Sequence, residues 1–245
     1  MMRDVWTVVW KEWQEFRDQL LSLRRGGLSA LILALILGVV APIELGAEWV
    51  NSKLIVGYWP FLAATMVSSL IAASVAGERE RHTLETLLAS RLPDAAILIG
   101  KIIAAVIYGV GFAVVNIVVG LVAVNIAHRD IGPLLFAPER LSVTLVLTVL
   151  ASFLMAGIGV FISLRASTVK QAQQAFGIAI IVLTMGPVLL FNALGVETRE
   201  RMVTRLANVG ETRIAVYAVT GLAILSVFVI GAALARFRRG KLVLD

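Results

Sequence analysis

Apolar segments long enough to cross a membrane occur six times along the 245 residues of the chain. A bilayer-spanning helix needs roughly 17–25 apolar residues. In lipid each backbone polar group must also be satisfied within the segment, which favours helices over isolated strands. The sequence therefore predicts an all-α membrane protein in which residues 1–245 form one transmembrane domain. The predicted spans are 27–43, 54–76, 97–126, 141–163, 172–195 and 213–235, the first being the shortest.

Basic residues are divided unevenly between the two sets of connecting segments. Of the 22 Lys and Arg residues, 15 lie in one set and the other 7 in the opposite loops. The richer set comprises 1–25, 78–101, 164–170 and 236–245. Because Lys and Arg accumulate on the cytoplasmic side, we expect a multi-pass protein of the cytoplasmic membrane with both termini in the cytoplasm. The net charge of +6 then follows from membrane topology and does not indicate nucleic-acid binding.

Several chemistries are disfavoured by the residues that are missing. The chain has no cysteine, and its two histidines, His82 and His128, have no companions at metal-ligand spacing, so no metal site is predicted. His82 and Glu85 do not form an HExxH motif, and no catalytic pair is visible within the spans, so an intramembrane enzyme is not expected. No ionisable residue lies deep in a predicted span, which argues against a carrier that is energised by a coupling ion.

The first 25 residues predict an amphipathic helix before the first span. Its apolar positions are spaced by three and four residues, as on one face of a helix. They are Trp6, Val9, Trp13, Phe16 and Leu20. We expect this elbow helix to lie in the membrane interface with Trp6, Trp13 and Phe16 as lipid anchors. The pattern leaves open whether the helix only anchors the chain or also packs on a cytoplasmic partner.

Between the second and third spans lies the charged segment GERERHTLETLLASRLPDAAILIGK, residues 77–101. Leu84, Leu87 and Leu88 have helical spacing and form an apolar knob, and Pro93 ends the short helix. The charges around the knob are Glu78, Arg79, Glu80, Arg81 and Glu85. Such a knob suits a groove in another protein, although a solvated turn between helices is the alternative. Lys101 is expected to extend to the membrane surface.

This segment resembles the signature of ABC type-2 transporter permeases, the membrane subunits of ATP-driven exporters. The resemblance is carried by Glu78, Arg79, Glu80, Thr83, Leu84, Glu85, Leu88, Pro93, Gly100 and Lys101. His82 stands where a glycine before the threonine is common. The stretch STVKQAQQ, Ser167–Gln174, also resembles the link that the family carries before its fifth span.

The resemblance implies that residues 78–93 form a coupling helix that docks on a separate ATPase subunit. Its contact residues would be Glu78, Arg79, Glu80, Arg81, Thr83, Leu84, Glu85, Leu87 and Leu88. The partners implied are this ATPase, which would bind ATP and Mg²⁺, a second permease copy (identical or related) and membrane lipid. The chain itself should bind no cofactor, because its Gly100-Lys101 pair lacks the first glycine and the final Ser or Thr of a phosphate-binding loop.

Few polar residues lie inside the predicted spans. Thr65, Ser68, Ser69 and Asn116 either line a pathway or pack helices together, and Gly186-Pro187 should kink or break the fifth span. Ala64, Ser68, Ala72 and Ala76 form a ladder of small residues that favours close helix packing within the subunit. The uncharged spans favour a lipid-like or amphipathic substrate. The alternatives are a stand-alone secondary carrier or channel and a scaffold that anchors an ATPase.

Overall fold

The structure is a computed structural model of the chain, and it describes residues 1–21, 28–53, 55–81 and 92–236. Within these ranges the secondary structure is entirely helical. In chain order the helices are α1 (Met2–Leu21), α2 (Leu28–Leu35), the π-helix π1 (Ile36–Val40), α3 (Ala41–Leu45), α4 (Ala47–Asn51), α5 (Ile55–Ile71), π2 (Ala72–Ala76), α6 (Gly77–Glu80), α7 (Asp94–Ala127), α8 (Pro138–Ser163), α9 (Val169–Ala193), α10 (Val196–Asn208) and α11 (Glu211–Arg236).

Five of the described helices are long and apolar enough to cross a membrane. They are Ile55–Glu80, which joins α5, π2 and α6, then Asp94–Ala127, Pro138–Ser163, Val169–Ala193 and Thr212–Arg236. These five agree with the second to sixth predicted spans. The first predicted span, 27–43, falls on α2, π1 and α3, which provide only a shorter apolar helix. The all-α membrane fold is therefore confirmed, whereas a sixth membrane-length helix is not.

A proline explains why the helix over the first predicted span is irregular. Pro42 lies in the first turn of α3, directly after π1. In a regular α-helix the ring of a proline clashes with the carbonyl of residue i−4, which here is Gly38. The wider π turn places Gly38 against α7, where an added Cβ would lie 2.7 Å from Oδ1 of Asn116.

The core of the bundle is formed by α5, α7, α8 and α11. The helix α8 packs extensively on both α5 and α11, and α5 also packs on α7. Val67 and Ile71 of α5 meet Ile102 of α7 and Val160 of α8 in the main apolar cluster. The helix α9 touches this core through fewer contacts, to α8, π2 and α5.

The predicted ladder of small residues lies inside this core. Ala64, Ser68, Ala72 and Ala76 are all buried. The three alanines belong to a cluster with Met155 of α8 and Phe176 of α9. Close packing within the subunit is therefore confirmed for this ladder.

Large apolar side chains cover the outside of α9 and α11. Each of the following is at least 60% exposed: Ile178, Ile181, Val182, Leu189, Leu190, Ile224, Val227 and Phe228. Patches of this size are rare on proteins surrounded by water. A hydrocarbon environment accounts for them directly.

Of the two outcomes predicted at Gly186-Pro187, a kink or a break, the break does not occur. The helix α9 runs without interruption from Val169 to Ala193, with Pro187 inside it. A single proline removes one backbone hydrogen bond, and such a loss is tolerated within transmembrane helices.

At one end of the bundle α1 lies against α7 with very little space between them. A Cβ placed on Gly100 would lie 2.6 Å from Cβ of Val8 and 3.1 Å from the carbonyl oxygen of Val5. On the same helix, a Cβ on Gly111 would meet nothing within 4 Å. Gly100 therefore permits the close approach of α1.

We expect Gly100→Ala to loosen α1 from α7. The added methyl group would meet a backbone carbonyl and a Cβ atom, neither of which can rotate away, and overpacking of this kind costs about 1–3 kcal/mol. Hydrogen exchange of the α1 amides in detergent should accelerate. Gly111→Ala is the matched control and should leave that exchange unchanged. Equal protection of α1 in both variants would contradict the close contact at Gly100.

Candidate functional site: a charged network at the α1 end of the bundle

A group of charged and polar side chains gathers where α1, π2, α6 and α7 meet. We call Lys11, Glu12, Ser74, Glu78 and Lys101 the charged network, and the end of the bundle that holds it the α1 end. Glu12 and Lys101 are fully buried, and Ser74 and Glu78 are almost so. The network therefore joins the N-terminal helix to two of the long helices through the protein interior.

Lys101 is the centre of the charged network. Its Nζ donates hydrogen bonds to Oε1 of Glu12 at 2.7 Å, to Oγ of Ser74 at 2.8 Å and to the carbonyl oxygen of Ser74 at 3.2 Å. It also lies 3.0 Å from Oε1 of Glu78. A buried ammonium group is tolerated only when it is paired and hydrogen-bonded, and here both conditions are met.

The expectation that Lys101 extends to the membrane surface is therefore wrong. Its side chain is 1% exposed, because Glu12 and Ser74 provide buried partners that make extension to the surface unnecessary. Lys101 is the eighth residue of α7, about 10 Å from its start. The ammonium group of Lys101 therefore belongs to the N-terminal part of α7 and not to its middle.

The π turn supplies one of the partners of Lys101. Ser74 is at the centre of π2, and both its hydroxyl group and its carbonyl oxygen accept from Nζ of Lys101. π turns change the backbone pairing of a helix locally and often occur at functional sites. No residue pattern in 72–76 predicts this turn.

The charges in the network alter the titration of the two residues on α1. Burial alone would raise the pKa of Glu12, but the charge of Lys101 and hydrogen bonds from Lys101 and Ser74 outweigh it, so the pKa lies below its ordinary value. Burial would lower the pKa of Lys11. A hydrogen bond to Glu78, with the charges of Glu78, Glu12 and Glu15, raises that pKa instead. Both groups are therefore ionised at neutral pH.

The short helix α6 continues the network towards two further helices. Nη1 of Arg79 donates to the carbonyl oxygen of Leu164, directly after α8, at 2.9 Å. Oε2 of Glu80 accepts from the backbone N–H of Val169, the first residue of α9, at 2.9 Å. We call Gly77–Arg81 the junction segment, because its side chains contact α1, α7, the end of α8 and the start of α9.

The predicted coupling residues are only partly visible. Glu78, Arg79 and Glu80 lie in the junction segment, and Arg81 is exposed at its end. Thr83, Leu84, Glu85, Leu87 and Leu88 lie outside the described residues, as does most of the predicted helix 78–93. The junction segment leads directly into that stretch.

The helix α1 presents two apolar faces, where one was predicted. Trp6 and Trp13 are exposed, whereas Phe16 is buried and packs edge-on against Tyr108 with ring centroids 5.9 Å apart. Phe16 therefore contacts protein and not lipid. Trp10, which is 58% exposed, completes a stripe with Trp6 and Trp13 at a spacing of four and three residues. The other apolar face consists of Val8, Val9 and Phe16, and it surrounds Glu12.

Sequence reasoning missed Glu12 and Trp10, although both leave a signal. Glu12 falls at helical spacing between Val8, Val9 and Phe16, so its carboxylate had to be buried on the protein-facing side. Trp10 interrupts the charged side of the helix beside Lys11. Assigning one apolar face to α1 concealed both residues.

The polar residues predicted inside the spans bond mostly to backbone. Oγ1 of Thr65 donates to the carbonyl oxygen of Leu62, and Oγ of Ser68 to that of Thr65, each at 2.7 Å. Nδ2 of Asn116 donates to the carbonyl oxygen of Phe112 at 2.8 Å. Ser69 is exposed, and its Oγ accepts from Nε2 of Gln173 on α9 at 3.4 Å. Each of these four side chains is thus hydrogen-bonded within the subunit.

A comparison with protein families now assigns the chain. The model of the family described as ABC-2 type transporter matches residues 3–190. The chain belongs to the ABC-2 type transporter family. The match includes α1, the charged network and the junction segment, and it ends within α9. Among curated proteins, none matches the chain.

Family membership confirms the resemblance found in the sequence and makes the protein a membrane component of a transporter. ABC-2 domains are not themselves catalytic. Within the described ranges, no three His, Asp or Glu side chains come together as a metal site. In this ABC-2 chain the charged network connects α1 to π2, α6 and α7.

Breaking the central ion pair should destabilise the protein strongly. Lys101→Met leaves the carboxylate of Glu12 buried without its main cation, which typically costs about 3–5 kcal/mol. The double variant Glu12→Leu/Lys101→Met removes both charges and should recover most of that loss. Thermal unfolding in detergent, followed by tryptophan fluorescence, measures both changes. Lys170→Met, at an exposed lysine, is the control and should be neutral. An equal loss in the single and double variants would show that the pair does not contribute.

The lowered pKa of Glu12 also makes this stabilisation depend on pH. Because the folded pKa lies below the ordinary value of 4.5, the contribution is complete above pH 4.5 and is lost as the pH falls through the folded pKa. The difference in unfolding midpoint between the native chain and Glu12→Gln should therefore be constant near neutral pH and shrink in acid. A difference that grows in acid would refute the assignment.

Proposed function

We propose that this ABC-2 chain is the permease subunit of an ABC exporter, and that ATP is hydrolysed with Mg²⁺ by a separate nucleotide-binding subunit. The observation that carries the proposal is the junction segment. It precedes the leucine-rich stretch 82–91 and contacts four helices through Glu78, Arg79 and Glu80. A partner that moves this stretch would therefore act on the whole α1 end of the bundle.

The distribution of charges supports placing the α1 end in the cytoplasm. The helices α1 and α6 and the starts of α7 and α9 lie at this end. They belong to or border the sequence segments 1–25, 78–101, 164–170 and 236–245, which hold 15 of the 22 basic residues, as cytoplasmic segments do. The helix α1 would lie in the cytoplasmic interface. There the stripe of Trp6, Trp10 and Trp13 would contact lipid, while Glu12 and Phe16 contact the bundle. This arrangement supports both roles considered for the elbow, anchoring and packing.

A sixth span would be formed by Leu28–Leu45. Its 18 consecutive helical residues cover about 27 Å, slightly less than the hydrocarbon thickness of a typical bilayer. Local thinning of the bilayer accommodates a short span at modest cost. With this span, both termini lie on the cytoplasmic side.

The exposed faces of α9 and α11 support a second permease copy, identical or related, within the complex. A single subunit leaves these faces covered only by lipid, and a pathway between two subunits would need no charged lining. We propose that the substrate is lipid-like or amphipathic, because the described spans present mainly apolar surface. The expected direction is export.

The proposal is tested by changing the leucine knob. Leu84→Asp/Leu88→Asp would place two charges in the surface that docks on the ATPase. We expect affinity purification from native membranes to recover an ATP-binding subunit with the native chain, and at least about tenfold less with the variant, because burying unpaired charges is costly. Quantitative mass spectrometry and an ATPase assay of the eluate measure this.

A matched control carries the same two changes at the opposite end of the bundle. Ile131 and Leu135 are exposed there, and Ile131→Asp/Leu135→Asp should leave recovery of the ATPase unchanged. Equal recovery with both variants would contradict docking at the knob. If the native chain carries no ATPase and purified vesicles transport substrate without ATP, the stand-alone carrier or channel replaces the proposal.

A further inference from the structure

We infer that Glu80 is the positioning residue through which the junction segment moves α9, and that α9 is the helix displaced during transport. The inference rests on the proposed function for the source of the motion. The contact itself is a property of this chain. Oε2 of Glu80 accepts the backbone N–H of Val169, which is 89 residues away in sequence.

Among its described residues, α9 is attached to the bundle along its first half, from Val169 to Ile180. Ala172 and Phe176 are buried, and Gln173 bonds to Ser69 of α5. From residue 177 to the end of the helix, every described side chain is half-buried or exposed. In contrast, α8 is buried between α5 and α11 along its length. A force on the α1 end will therefore displace α9 more readily than α8.

The chemistry at the start of α9 makes Glu80 an effective attachment. The first amides of a helix have no partner within the helix, and the helix dipole favours a carboxylate there. Oγ1 of Thr168 accepts from the N–H of Gln171 at 3.2 Å. Val169 N–H is left for Glu80. The start of α9 is therefore capped partly by Thr168, its neighbour in sequence, and partly by Glu80 of the distant junction segment.

Arg79 binds the other end of the link between α8 and α9. It donates to the carbonyl oxygen of Leu164, after α8, so that adjacent residues of the junction segment hold both ends of the link 164–169. Because α8 is fixed by its packing, a shift of the junction segment changes the direction of α9 relative to α8. The link 164–169, held by Arg79 at one end and Glu80 at the other, is then the point about which α9 tilts.

The far end of α9 carries α10 with it. Nε of Arg199 donates to the carbonyl oxygen of Leu194 at 2.8 Å, and its Nη2 donates to that of Asn192 at 2.7 Å. Since α9 is continuous through Pro187, a tilt at Val169 is transmitted along 25 helical residues. Motion at the junction segment would thus reach the opposite end of the bundle.

The absence of cysteine from the chain allows the position of α9 to be measured with introduced cysteines. Spin labels at Val146→Cys on α8 and Leu189→Cys on α9 report the position of α9. Labels at Phe61→Cys on α5 and Val146→Cys report the core. All three sites are exposed. Glu80→Ala should broaden the α8–α9 distance distribution and leave the α5–α8 distribution unchanged. Amide exchange at the start of α9 should accelerate by about threefold to thirtyfold, as for a lost helix cap.

Glu80→Gln keeps an oxygen that accepts a hydrogen bond and should restore most of the native behaviour. A Glu80→Ala protein with native distances and native exchange would overturn the inference. A change in both pairs alike would also overturn it, because it would assign Glu80 to general stability.

With the ATPase present, ATP should shift the α8–α9 distance in the native chain and not in Glu80→Ala. An equal shift in both proteins would overturn the role in coupling. The measurements on the permease alone need no partner, so their failure is distinguishable from failure to recover an ATPase.

Discussion

The ion pair between Lys101 and Glu12 is the interaction on which the α1 end of the protein depends. Two opposite charges are removed from solvent, so neither residue can be left there without the other. Forming the pair requires α1 to lie flat on α7, which Gly100 permits, and it requires the opened backbone of π2 at Ser74. The N-terminal helix is thus an integral part of the bundle. Its tryptophan stripe and its protein-facing side are separate surfaces with separate roles.

The charged contacts continue from this ion pair into the junction segment. Glu78 joins Lys101 and Lys11, and the two following residues hold the end of α8 and the start of α9. These contacts are close ion pairs and hydrogen bonds to backbone atoms. They resist displacement more strongly than contacts between apolar side chains, which can change rotamer. A four-residue helix therefore contacts several long ones. Its size alone would not indicate this importance.

Hydrophobic run length was sufficient to predict the all-α fold and five of the membrane-length helices, because lipid leaves little choice of secondary structure. It was less reliable for 27–43, where Pro42 and a π turn interrupt the helix. Spacing alone also misassigned Phe16, since an aromatic residue on an amphipathic helix suits lipid and protein equally. The sequence alone predicts a surface lysine at position 101, because the partners of Lys101, Glu12 and Ser74, are distant in sequence. Pairings of this kind become visible only when the helices are assembled.

The space around each glycine indicates which helices of the bundle are packed most closely. Cβ atoms on Gly109, Gly157 or Gly159 would meet neighbouring side chains at less than 3.0 Å, so α7 and α8 approach their neighbours as closely as their backbones allow. The glycines of α9, Gly177 and Gly186, meet nothing within 4 Å. Small residues are the main means of close helix packing in lipid. The start of α9 uses this means, since Phe176 packs on Gly159 of α8, but Gly177 and Gly186 do not contribute to such packing within the subunit. A helix held at one end by Glu80, with its glycines open along the rest, can change its neighbours without disrupting the core formed by α5, α7 and α8.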